Sequence, residues 1–70
     1  MKILIVIEKS RTGFAAYAPD VQGCVATGRT RKQVERTMQQ ALRFHLSGMR
    51  EEGIAVPTAR STSAYVEVPA

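Results

Sequence analysis

Few side chains in this sequence could do acid–base or nucleophilic work. His45 is the single histidine. As a general base it would need a carboxylate or hydroxyl beside it, and the only acid placed to approach it along the same helix is Glu52, two turns on. A lone histidine on the apolar side of a helix reads as a hydrogen-bonded core or interface residue. Cys24, the single cysteine, has no flanking histidine or basic cluster to lower its pKa, so it reads as a small buried residue. The carboxylates are Glu8, Asp20, Glu35, Glu51, Glu52 and Glu67. A two-metal phosphoryl site needs several acids converging at strand ends. Glu8 and Asp20 could share one end of neighbouring strands, but Glu35 is expected at solvent on a helix. Gly13, Gly23 and Gly28 stand singly and serve turns, with no phosphate-cradling glycine loop. No catalytic residue, metal ligand or cofactor is therefore expected, and the chain is not expected to be an enzyme. A metal-dependent nuclease built on Asp20 is the remaining catalytic reading.

Charge offers more. Ten Lys and Arg stand against six Asp and Glu, a formal net charge of +4, which favours anionic partners at long range without naming one. Arg36, Arg43 and Arg50 recur every seven residues and fall on one side of a helix. Such a stripe could follow a phosphate backbone or an acidic protein surface. No aromatic residue is interleaved with it, so a base-stacking platform is not supported, and a solvated helix face competes with the binding reading.

The element that carries these arginines has its limits written in the sequence. Thr30 followed by Gln33 is a Thr-x-x-Gln capping box, and Gly53 supplies the left-handed residue that closes a helix. The span of about 22 residues would be about 33 Å long. Val34, Met38, Ala41, Leu42, His45 and Met49 gather on one side, with Thr37, Phe44 and Gly48 at its margins. Lys32, Gln39, Gln40 and Ser47 accompany the arginines on the other.

The remaining elements must give that apolar side something to lie on. Ile3-Leu4-Ile5-Val6-Ile7 reads as a strand buried on both faces. Lys9 to Gly13 suits a hairpin connection, and Phe14 to Ala18 a second strand. Pro19-Asp20 breaks that strand. Cys24 to Thr27 reads as a third strand, Ile54 to Pro57 as an extended arm, and Tyr65 to Val68 as a fourth strand stopped by Pro69. The order β-β-β-α-β specifies a single α+β domain over residues 1–70, a three- to four-stranded sheet with one long helix on one face. The last strand is expected beside the first, parallel to it, through a right-handed crossover.

One helix cannot shield both sides of such a sheet. Ile3, Ile5 and Ile7 point one way, Leu4 and Val6 the other, so the second face, with Tyr17 or Tyr65, is expected to meet a second copy or another protein. The competing arrangement folds the arm at Ile54 to Pro57 over it. Seventy residues with one cysteine can have no intrachain disulfide, which leaves self-association or a partner as the remaining source of buried area. A dimer or larger homo-oligomer is expected. The apolar run at the N-terminus is too short for a secretory signal, no segment is long and apolar enough to span a membrane, and a cytoplasmic protein is expected.

The ordered set Gly13-Phe14-x-Ala16, Pro19-Asp20-Val21-x-Gly23-Cys24, Gly28-x-Thr30, Ala41-Leu42, Glu52-Gly53 and Val56-Pro57 resembles the HicB antitoxin family, over nearly the whole chain. The resemblance implies a partial ribonuclease H-like core without catalytic acids. It also implies an antitoxin that binds a small messenger-cleaving HicA-like toxin and occludes its RNA-facing site. Such antitoxins commonly carry a C-terminal DNA-binding segment. None follows the fourth strand in this sequence, so autorepression by direct DNA contact is not expected. Two features depart from the family pattern: Arg29, Arg31 and Lys32 at the helix start, where acids are frequent, and Gln22, where proline is frequent. The basic helix start leaves a second functional reading, a stand-alone oligomeric relative that binds nucleic acid through the helix face. The partner-binding candidates are Tyr17 and Tyr65 for a protein, and Arg36, Arg43 and Arg50 for a protein or nucleic acid.

Overall fold

The computed structural model describes all 70 residues. Three antiparallel strands, β1 (Val6–Lys9), β2 (Phe14–Tyr17) and β3 (Val25–Gly28), form a sheet in the order β1-β2-β3, and one helix, α1 (Arg31–Glu51), crosses it.

The turn chemistry works as the sequence implies. In the hairpin between β1 and β2 the Ser10 N–H donates to the Gly13 carbonyl at 2.8 Å. The chain bends after β2 at Pro19-Asp20, where the Val21 N–H donates to the Ala18 carbonyl, and Gly23 takes a φ of 85° that a side chain would resist. At the start of α1 the Thr30 hydroxyl accepts the Gln33 N–H at 3.0 Å, while the Gln33 amide oxygen reaches back to the Arg29 N–H at 2.8 Å. The capping box is thus displaced by one residue on its return arm. Gly53, with a φ of 72°, closes the far end. Its N–H donates to the Arg50 carbonyl and the Ile54 N–H to the Met49 carbonyl, the paired bonds of a Schellman cap.

The core lies between helix and sheet. Register pairs Ile7 with Ala16 and Ala16 with Ala26, so one row across all three strands faces the helix. The alanines that weaken β2 by propensity let α1 approach closely. Val34, Met38, Leu42 and Leu46 of α1 are buried on this row, joined by Ala18, Val21 and Cys24, with Ile3, Ile5, Ile7, Phe14, Met49 and Val56 packed around them. Val56 belongs to this helix-facing core, which draws the arm after α1 to the covered side of the sheet.

Two expected strands differ from the observed ones. Pairing in β1 begins at Val6, leaving Ile3 to Ile5 outside the ladder. Extending the register would set them against Ala18, Pro19 and Asp20, where proline has no N–H to donate and the chain turns away. The expected fourth strand at Tyr65 to Val68 is not paired. Tyr65, Val66 and Val68 are exposed, and residues 54–70 hold no regular element. The sheet is three-stranded, and β1 is an edge.

Candidate functional site

The strands present their second face without cover. Val6 pairs with Tyr17 and Tyr17 with Val25, a cross-strand row on the side away from the helix, and Glu8, Ala15 and Thr27 form the adjacent row. Val25 is 71% exposed and Tyr17 43%. Within the paired strands this face carries one charge, Glu8, and no cation. Tyr17 therefore lies where the sequence places it. Tyr65 does not join it, because the segment that holds it stands free of the sheet.

A second open surface runs between the start of the chain and α1. Met1, Ile3, Ile5, Leu42 and Leu46 form the floor of a groove, and Lys32, Arg36, Arg43 and Arg50 line it together with Glu35 and Gln39. The three arginines share one surface, as their spacing implies. That surface is the flank of α1 beside β1, over an apolar floor, and not the back of the helix. The cause is the stride of the buried stripe. Val34, Met38, Leu42 and Leu46 are each four residues apart, so each step turns about 40° around the axis toward the arginine side. Phe44 is on the opposite flank, 84% exposed.

Asp20 has a structural task that sequence reading did not assign. Its carboxylate accepts the Arg60 N–H and the Ser61 N–H at 2.8 Å and the Ser61 hydroxyl at 2.7 Å. The Ser61 N–H and hydroxyl, then the Arg60 N–H, hold its pKa below the ordinary aspartate value. Asp20 thus fastens the chain after the arm to the β2–β3 bend. Forty residues separate the partners, and no local pattern signals such a bond.

The residues considered for chemistry are not brought together. No three His, Cys, Asp or Glu side chains converge as a metal site would require. His45 is half-buried on α1. Cys24 is buried, and burial pushes its thiol pKa up, away from the reactive thiolate. No helix is long and apolar enough to cross a membrane.

The molecule exposes more surface than its mass calls for. Its accessible area is 6125 Å², against about 4,300 Å² for a compact monomer of 7.7 kDa. Its radius of gyration is 13.9 Å, where about 11 Å is usual for this length.

Comparison with known proteins accords with this picture. Residues 3–70 match the model of a family described as HicB-like antitoxins of bacterial toxin–antitoxin systems. An uncharacterised 14.9 kDa protein of the rep–hol intergenic region of Haemophilus phage HP1 is 32% identical over 65 residues, 93% of this chain. The chain spans about half that relative's length, 49%. A UPF0150 protein of Helicobacter pylori is 31% identical over 69 residues, covering 97% of this chain and 96% of its own. A chain in a solved HicA3 and HicB3 toxin–antitoxin complex has a similar fold, with a TM-score of 0.67 and 27% identity, over 84% of this chain and 72% of that one.

Proposed function

Because the chain belongs to the HicB-like antitoxin family, we propose that it neutralises a HicA-like toxin by laying the open face of its sheet over the toxin's RNA-facing surface. The observation that carries this reading is the row Val6–Tyr17–Val25, apolar, uncovered and free of cations. A messenger-cleaving toxin must present positive charge where RNA binds. A blocking surface there has to be neutral or acidic, since like charges facing one another would cost several kcal/mol. Within this chain the sheet face meets that requirement, and the arginine-lined flank of α1 does not. The solved complex of a HicA3 toxin with a HicB3 antitoxin, whose structure includes a chain of similar fold, supports a partner of this kind.

Occlusion of this type needs no catalytic group. Aromatic and branched side chains that are already exposed exchange water for the partner, and a central tyrosine is among the residues that most often dominate such interfaces. The nucleic-acid reading of Arg36, Arg43 and Arg50 has less support. No aromatic side chain lines their groove, and its floor is aliphatic.

The test is co-expression with a HicA-like toxin. The chain is expected to restore growth, and Tyr17→Lys with Val25→Lys is expected to abolish the rescue without altering the far-ultraviolet circular dichroism. Growth arrest despite the wild-type chain, or rescue that survives the double substitution, would count against this reading.

A further inference from the structure

The groove beside β1 and the free segment at Tyr65 to Val68 are complementary, and neither is satisfied within one chain. We propose that the segment of each copy docks into the groove of a second copy, adding a strand to the exposed edge of β1 and closing a two-fold, strand-exchanged dimer.

The groove supplies what an incoming strand needs. β1 is an edge strand with unpaired backbone groups on its outer side, and Ile3 to Ile5 continue it as β-forming sequence that found no partner. A strand added there sends alternate side chains onto the floor formed by Ile3, Ile5, Leu42 and Leu46. In Tyr65-Val66-Glu67-Val68 the alternation puts Val66 and Val68 together on one side. Both are largely exposed, at 81% and 76%, and Tyr65 is fully so. Between Ser61 and Ala70 the one charged side chain is Glu67, so the segment brings net negative charge to a groove where cations outnumber acids, a long-range attraction needing no specific pair.

A second copy is the occupant because the segment stands outside its own groove. Asp20 clamps Arg60 and Ser61, which leaves residues 62–64 as the hinge, and no residue beyond Arg50 lines the groove. Short hinges of this kind favour exchange between copies. The area agrees as well. The surplus of about 1,800 Å² over a compact monomer exceeds the roughly 800 Å² per partner that a standard interface buries. The exchanged dimer leaves the open sheet face unused, so this inference and the antitoxin reading stand or fall separately.

The experiment is molar-mass measurement by light scattering across a dilution series of the whole chain. The wild type is expected at twice the chain mass. Val66→Asp with Val68→Asp is expected to run at the single-chain mass, its dimer weakened at least about a hundredfold by two charges placed on an apolar floor. The helical circular dichroism signal should be retained, since neither valine contributes to the core. Mixing Ile5→Cys chains with Val66→Cys chains under mild oxidation should give a disulfide-linked pair. A single-chain mass for the wild type, or a dimer indifferent to the two aspartates, would overturn the proposal. So would a chain carrying both cysteines that cross-links only within itself, since that places the segment in its own groove. Rescue of toxin-arrested growth by the Val66→Asp, Val68→Asp chain separates this outcome from failure of the antitoxin reading.

Discussion

Gly13→Ala should be the most damaging one-carbon change in the molecule, and its cause is steric, not conformational. Gly13 is not among the glycines with positive φ. A Cβ at this position would instead run into the carbonyl oxygen of Gly28 and come within 3.2 Å of the Arg29 Cα. Both obstacles are backbone, at the end of β3 where Phe14 pairs with Gly28, so no side-chain rotation relieves the clash. Overpacking of this sort costs about 1–3 kcal/mol, and the rigid surroundings argue for the upper part of that range. A chain of this size has about 3.5–10 kcal/mol of total stability. A loss of about 3 kcal/mol would lower the melting temperature by roughly 12–24 °C. Gly48→Ala is the matched control. Gly48 is inside α1 with nothing within 4 Å of the added carbon, so the exchange should gain about 0.8–1.0 kcal/mol of helix propensity. Thermal melts followed by circular dichroism, at one fixed protein concentration, should move in opposite directions for the two variants. A Gly13→Ala melt within about 2 °C of wild type, or a Gly48→Ala melt below it, would refute the reasoning.

Two further outcomes follow from the packing. Leu46→Ala should destabilise by about 2–5 kcal/mol, whereas Phe44→Ala, two residues away and 84% exposed, should stay within about 0.5 kcal/mol; urea titration of both separates the buried flank of α1 from the open one. Asp20→Ala should release the chain at Arg60 and Ser61, seen as faster hydrogen exchange of those two amides. The folded state holds the Asp20 pKa below its unfolded value, so the contribution is complete above the unfolded pKa and is lost as pH falls through the folded one. Wild-type protection at these amides should therefore persist at neutral pH and fade only below the ordinary aspartate range.

What could be read from the sequence was local. Thr30, Gln33 and Gly53 fix the ends of α1 through bonds spanning five residues or fewer, and such bonds have a residue signature. The hairpin at Ser10 to Gly13 and the bend at Pro19-Asp20 are of the same kind. The uncovered second face also followed from sequence alone, by counting helices against sheet faces. What was not legible depended on contacts remote in the chain. Leu46 escapes a wheel centred on Val34 and Ala41 because the buried residues advance by fours and spiral toward the arginines. The carboxylate clamp of Asp20 joins residues forty apart. Tyr65 to Val68 has the composition of a strand, but a strand is a relation between two segments, and within this chain its side chains stay in water. Among the candidate residues, Tyr17 reaches the open face, the three arginines share one groove, and Tyr65 stands apart from both.

These features bear on what stability can mean for this molecule. Nine residues are buried, all between one helix and one side of a sheet, and the thinnest dimension is 16 Å. A two-layer body of that thickness has little burial to set against the entropy of ordering its chain. Any partner that binds only the folded form adds RT ln(1 + [L]/Kd), about 2.7 kcal/mol at a hundredfold excess over Kd. Against a total of about 3.5–10 kcal/mol that addition is a large fraction. On the proposals above, the sheet face would supply it from a toxin and the groove from a second copy. The apolar surface that limits the lone chain would then be the surface on which the proposed partners bind. Its melting temperature should rise with its own concentration and again with a bound partner, so the folded population reports how much of that surface is occupied.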